Sequence, residues 1–123
     1  MSRKKILLVD DCRTSLLFLE LLLRGQDHEI LKATGGAQAL DRVAAERPDL
    51  VVMDLLMPDL SGLDVLRALR ERDETRGIPV VLVTVRGDAA SRDEAMRNGC
   101  QDYLTKPVTA AALRARLDQH LGS

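Results

Sequence analysis

The sequence predicts an α/β fold built on a five-stranded parallel sheet with five helices. Two observations lead there. Short apolar runs of strand length alternate along the chain with longer segments of helical periodicity, the pattern of successive βαβ units. Four of those runs also finish in polar chemistry: Ile6-Leu7-Leu8-Val9 in Asp10-Asp11, Leu50-Val51-Val52-Met53 in Asp54, Val80-Val81-Leu82-Val83 in Thr84, and Tyr103-Leu104-Thr105 in Lys106-Pro107. Open α/β sheets place their ligands outside the carboxyl ends of the strands, so these groups are expected to meet in one pocket.

The elements follow in order. A strand is expected near Lys5–Val9, then a helix near Thr14–Arg24. In that helix Ser15, Phe18, Leu19, Leu22 and Leu23 form a stripe at helical spacing that suffices for packing on a sheet. Leu16, Leu17 and Leu21 exceed that need. Two readings stand: wider burial against the last helix, or an exposed apolar patch for a partner. Gly25 ends the helix, and Gln26-Asp27-His28 makes a slightly long loop before a strand near Glu29–Ala33. A helix near Ala37–Glu46 leads to Pro48 and a strand at Leu50–Met53. Ser61 is the expected N-cap of a helix near Leu63–Asp73. Gly77 and Pro79 precede a strand at Val80–Val83. The helix near Ala89–Asn98 is polar and weakly apolar, and Gly99 closes it. A strand at Asp102–Leu104 precedes Thr109, the expected N-cap of the last helix, Ala110–Leu121. Only Gly122-Ser123 remain, so one domain over residues 1–123 is expected.

Composition narrows the function classes. The 123 residues carry 18 basic and 19 acidic side chains and only two aromatics, Phe18 and Tyr103. The core is therefore expected to be aliphatic. The charge balance shows no footprint for nucleic acid. Cys12 and Cys100 match no metal-ligand or redox spacing and are expected to be buried, reduced thiols. His28 and His120 are expected at the surface, without partners that would suggest a relay. No secretory segment is evident, and the longest apolar stretch, Leu16–Leu23, is interrupted by Glu20 and too short to span a bilayer. A soluble, cytoplasmic protein without a membrane partner is expected.

The strand-end groups suit phosphoryl chemistry. Asp10, Asp11 and Asp54 would set three carboxylates close together, an arrangement relieved by a bound cation. Hard oxygen ligands select Mg2+, or Mn2+, over zinc. Metal and Lys106 would neutralise charge on a transferring phosphoryl group while Thr84 donates a hydrogen bond. One carboxylate would serve as nucleophile and form an acyl phosphate.

Over essentially its whole length the chain resembles the receiver domain of two-component response regulators, specifically the single-domain, chemotaxis-regulator-like kind. The resemblance rests on Ile6-Leu7-Leu8-Val9-Asp10-Asp11, on Val52-Met53-Asp54-Leu55-Leu56-Met57-Pro58 with Ser61-Gly62, on Pro79-Val80 through Thr84, and on Asp102-Tyr103-Leu104-Thr105-Lys106-Pro107. It implies a flavodoxin-like, doubly wound sheet of strand order 2-1-3-4-5. It also implies that Asp54 is the phospho-acceptor and that Asp11 and Asp54 bind Mg2+ directly. Asp10 would act largely through water, and the Leu56 carbonyl would complete the protein ligands. Thr84 and Lys106 would contact the phosphoryl group, Lys106-Pro107 would be a cis peptide, and Gly62 would relax the turn before the third helix. The implied partners are a histidine kinase or histidine phosphotransfer protein upstream and an unidentified target downstream, with no direct contact to nucleic acid. The chain would be a monomer or a weak phosphorylation-dependent dimer.

The implied switch has a physical basis. Phosphorylation adds a dianion; Thr84 moves toward it, and Tyr103 turns inward to fill the vacated space. The output surface would be the fourth helix, fifth strand and fifth helix. Three residues depart from the family pattern or flank the approach. Val85 should narrow access to Asp54, apolar Leu56 positions no attacking water, and Arg86 could pair with the phosphoryl group or a partner. Together they should set access and kinetics. The chain would catalyse only its own phosphorylation and dephosphorylation and so would not be an enzyme on an external substrate. A haloacid-dehalogenase-type phosphatase would need a second acid where Leu56 stands. The remaining alternatives are a phosphorylation-independent interaction module and a receiver excised from a larger regulator.

Overall fold

The structure, a computed structural model, describes residues 3–121; Met1, Ser2, Gly122 and Ser123 lie outside the described residues. Five strands and five helices alternate: β1 (Lys4–Val9), α1 (Arg13–Leu22), β2 (His28–Ala33), α2 (Gly36–Glu46), β3 (Leu50–Met53), α3 (Gly62–Glu71), β4 (Val80–Thr84), α4 (Ala89–Arg97), β5 (Asp102–Thr105) and α5 (Ala110–Leu121). All pairings are parallel, and the strands lie in the order β2-β1-β3-β4-β5. The α/β fold is the one the sequence predicts, with element ends shifted by a residue or two, and the strand order is the one the family resemblance implies.

The period-2 geometry of the strands divides the core into two layers. Ile6, Leu8, Leu50, Val52, Val81 and Val83 face α1 and α5, meeting Leu16, Leu19, Leu113 and Leu117. Leu7, Val9, Val51, Met53 and Leu82 face the other side, meeting Ala39 and Val43 of α2, Val65, Leu66 and Leu69 of α3, and Ala95 of α4. Helices cover both faces, so the central strands are apolar without interruption. No helix among the described residues is long and apolar enough to cross a membrane.

The first helix is rotated relative to its expected stripe. Leu16, Leu19 and Leu23 are buried, whereas Phe18 is 48% exposed. Leu17 and Leu21 are also exposed. Packing selects Leu16 over Phe18 because the run from Leu16 to Leu23 is nearly all aliphatic and carries little phase information of its own. Leu17, Phe18 and Leu21 thus form the exposed apolar patch that was one of the two readings. The end of α1 is tied to α5 instead by Arg114, which donates to the carbonyls of Leu22 at 2.8 Å and Arg24 at 2.7 Å. These are carbonyls at the helix end with no partner inside it.

Three other expectations are corrected. Cys100 is buried, but Cys12 is exposed, because it sits at the N-cap of α1 on a loop leaving the sheet. Bonds from the Ser15 amide and hydroxyl hold the Cys12 thiol below its usual pKa. His120 is not a free surface histidine. Its Nε2 faces the Asp102 carboxylate at 3.1 Å, with the imidazole 15% exposed, and Arg116 approaches the same oxygen at 3.4 Å. This cluster joins α5 to the start of β5. His28 is half-buried at the start of β2, with Nδ1 out of solvent and unbonded.

Capping explains the remaining helix starts. Ser61 and Asp64 form a reciprocal capping box on α3, and Thr109 Oγ1 accepts from the Ala112 amide at 3.1 Å on α5. Asp88 caps α4 by accepting from Ser91, which holds its carboxyl at a pKa of about 2. Only Ala95 of α4 is buried, so this helix has little apolar anchorage.

Candidate functional site

The site follows from strand register. Val9 and Met53 are paired across β1 and β3. Asp10 and Asp54, the next residues, therefore leave neighbouring strands at the same level. The Asp54 amide donates to the Val9 carbonyl at 3.0 Å and the Asp10 amide to Ala33 at 3.2 Å, which fixes both exits. From this crevice the chain winds outward toward β2 on one side and β4 on the other, the switch point at which open sheets bind ligands. Thr84 pairs with Thr105, and the Lys106 amide donates to the Thr84 carbonyl at 2.8 Å. Lys106 is thereby returned toward the acids. The Lys106–Pro107 peptide is cis.

The side chains converge. Lys106 Nζ lies 3.0 Å from Asp10 Oδ2 and 3.1 Å from Asp54 Oδ2. The second oxygen of each acid closes a local turn: Asp10 Oδ1 accepts from the Cys12 amide at 2.9 Å and Asp54 Oδ1 from the Leu56 amide at 3.1 Å. Burial opposes the Lys106 charge, but the bonds to Asp10 and Asp54 outweigh it and raise its pKa above the ordinary lysine value.

The acids suit a hard divalent cation. Asp10, Asp11 and Asp54 each bring a carboxylate oxygen within 4.8 Å of the others. Asp10 is buried, Asp54 half-buried and Asp11 exposed. The donor set is all oxygen, so Mg2+ or Mn2+ is preferred to softer metals. One ammonium against three carboxylates leaves negative charge for a cation to neutralise.

The other expected residues stand around this centre. Thr84 is buried, and its hydroxyl accepts from the Arg86 amide at 3.3 Å. The Arg86 side chain turns away to Asp88 at 3.3 Å. Tyr103 is 4% exposed and already faces inward with Asp54 unmodified, which corrects the expectation that it turns inward only on phosphorylation; its hydroxyl donates to the Arg86 carbonyl. Burial, reinforced by Asp88, pushes the Tyr103 phenol above its ordinary pKa. Leu56 is exposed, and Val85 is 66% exposed. Val85 lies with Thr14, Phe18, Lys106, Pro107 and Val108 on a groove of about 400 Å3 between α1 and the β5–α5 connection.

Gly62 serves close approach rather than a relaxed turn. A Cβ there would sit 2.5 Å from the Asp54 carbonyl oxygen and 2.9 Å from Leu55 Cα, both backbone atoms that cannot swing aside. Its amide donates to the Leu55 carbonyl at 2.8 Å. Gly62→Ala should therefore destabilise the protein by about 3 kcal/mol, the upper range for overpacking, and displace Asp54. Urea unfolding measures this, and an unchanged midpoint would rule the clash out.

Sequence reasoning missed Asp59. Its carboxylate accepts from the Gly36 and Ala37 amides at 3.0 Å each, seating it on the N-terminus of α2. Bonds from Ala37, Gly36 and Leu60 amides hold its pKa at about 2. Nothing local signals this contact, because the partners lie on another element. Asp88 was missed as well, although an Asp after Gly87 and before Ala89-Ala90 is an N-cap pattern that could have found it.

Comparison with known proteins gives the family. Residues 6–118 match the family described as the response regulator receiver domain. The chain is 38% identical over 109 residues to protein PilH of Pseudomonas aeruginosa, covering 89% of this chain and 90% of that one. It is 30% identical over 119 residues to the polar-differentiation response regulator DivK of Brucella anthropi, covering 97% of both. Among solved structures, a response regulator receiver domain protein of Clostridium thermocellum superposes with a TM-score of 0.89 at 33% identity, covering 97% of this chain and 94% of that one. The chain belongs to the response regulator receiver domain family of two-component signalling.

Proposed function

We propose that residues 1–123 act as a phosphorylation-dependent switch in which Asp54 accepts a phosphoryl group from a histidine kinase or histidine phosphotransfer protein. The observation that carries this reading is the bridging of Asp10 and Asp54 by Lys106 beside Asp11. An Asp54 carboxylate oxygen attacks phosphorus as the donor's N–P bond breaks. The leaving imidazole keeps the bonding electron pair and takes up a proton. Asp10, Asp11, Asp54 and the Leu56 carbonyl would hold Mg2+, which supplies charge neutralisation at the phosphoryl oxygens when bound. Lys106, bonded to Asp54, would neutralise the same charge. Thr84, at the end of β4, would exchange its bond with the Arg86 amide for one to a phosphoryl oxygen.

The output face in this reading is α4, β5 and α5. Tyr103 links it to the site through the Arg86 carbonyl, and the sparse burial of α4 suits an element that shifts at low cost. The groove at Phe18, Val85 and Pro107 offers the donor an apolar approach beside Lys106. Any self-association would be weak and would follow phosphorylation.

The test is phosphotransfer from histidine-phosphorylated donors of the host, profiled one by one. Rapid transfer from at least one donor supports the reading; transfer from none overturns it. Val85 adds a separate expectation. Val85→Ala should speed phosphorylation by acetyl phosphate several-fold by widening the approach. An unchanged rate would remove Val85 as an access residue.

A further inference from the structure

The loop between β3 and α3 carries the Leu56 carbonyl and the residues that follow Asp54. A backbone carbonyl can hold a cation only if its peptide is fixed. At one end the Leu56 amide is bonded to Asp54. At the other end Gly62 and the Ser61–Asp64 capping box fix the start of α3. Between them, the polar tie to another element is Asp59, whose two oxygens take the Gly36 and Ala37 amides. The receiving surface is shaped for it. A Cβ on Gly35 would come within 3.2 Å of both Asp59 oxygens, and one on Gly36 within 2.6 Å of Leu60 Cβ. Two glycines thus leave the space in which Asp59 and Leu60 sit. The carboxylate also meets the positive end of the α2 dipole.

We propose that Asp59 is a positioning residue for the phosphoryl site: by clamping the β3–α3 loop to the N-terminus of α2, it holds the Leu56 carbonyl and Asp54 in cation-binding geometry. This rests on the reading of Asp10, Asp11, Asp54 and Leu56 as the cation site. Asp59 touches neither cation nor phosphoryl group. Its effect passes through the loop, as partners behind metal ligands tune affinity.

The test compares three variants by Mg2+ titration and by amide hydrogen exchange in metal-free protein. Asp59→Ala should weaken Mg2+ binding about 10-fold and speed exchange at Leu56. Asp59→Asn, which keeps one acceptor oxygen, should recover part of both. Gln38→Ala is the control. It removes another contact at the start of α2, the Thr34 amide bond at 2.6 Å, without touching the β3–α3 loop. It should lower thermal stability and leave Mg2+ affinity and Leu56 exchange unchanged. Equal Mg2+ affinity in Asp59→Ala and wild type overturns the proposal, as does an equal loss in Gln38→Ala, which would mean that α2 stability alone matters. If wild type itself binds no Mg2+, the cation-site reading fails. The clamp is then judged by Leu56 exchange: acceleration in Asp59→Ala without acceleration in Gln38→Ala sustains it, and any other outcome overturns it.

Discussion

Asp54→Asn is expected to abolish phosphoryl acceptance completely while leaving the fold intact. The asparagine keeps the shape of the side chain, and its carbonyl oxygen can still accept from the Leu56 amide as Asp54 does at 3.1 Å. It lacks the charged oxygen that would attack phosphorus. Asp54 is also one of two acids bonded to Lys106, so its loss leaves the ammonium paired to Asp10 rather than isolated. Stability should change little and transfer should fall to background. Residual transfer at a substantial fraction of the wild-type rate would show that another residue accepts the group.

Lys106→Met should destabilise the fold strongly. The Lys106 ammonium lies between two carboxylates, and the side chains of Lys106, Asp10 and Asp54 are 23%, 2% and 12% exposed. Methionine fills similar volume but supplies no charge. Removing one partner of a largely buried ionic cluster costs about 3 kcal/mol. Mg2+ should then offset part of the loss, because the variant no longer sets a fixed cation against it and binding stabilises the folded state by mass action. Urea unfolding in EDTA and in increasing Mg2+ measures both terms. The gap between wild type and variant should be widest in EDTA and narrow as Mg2+ rises; no gap, or a constant one, would contradict the assignment. The sign with pH follows from the raised Lys106 pKa. The stabilisation is fully present below the ordinary lysine value of about 10.4 and is lost only as pH rises through the higher folded value. The gap should therefore not close near neutrality through this group.

What was legible in the sequence depended on whether a residue's role is set locally. Asp10, Asp54 and Lys106 were recognisable because each follows a strand, and Thr84 because it ends one; parallel register alone brings strand ends together. The strand and helix order was legible for the same reason. Phe18 was misplaced because its helix is surrounded by leucines, so only contacts with β1, β3 and α5 choose which face turns inward. His120 was misread as a surface histidine because its partner, Asp102, lies on another element. Gly62 was noticed for the wrong reason: its requirement is the nearness of the Asp54 and Leu55 backbone, which no turn preference reveals. Asp59 was missed because its partners are the amides of a distant helix start.

If Asp54 carries the phosphoryl group, Asp10, Asp11 and Lys106 make this possible. The most direct measurement is reductive trapping. The protein is incubated with Mg2+ and a histidine-phosphorylated donor, treated with borohydride to convert any aspartyl phosphate to homoserine, and mapped by peptide mass spectrometry. Conversion at Asp54 that disappears when EDTA replaces Mg2+ is the predicted result. Conversion at Asp10, Asp11 or another acid, or conversion at Asp54 indifferent to Mg2+, would contradict the account.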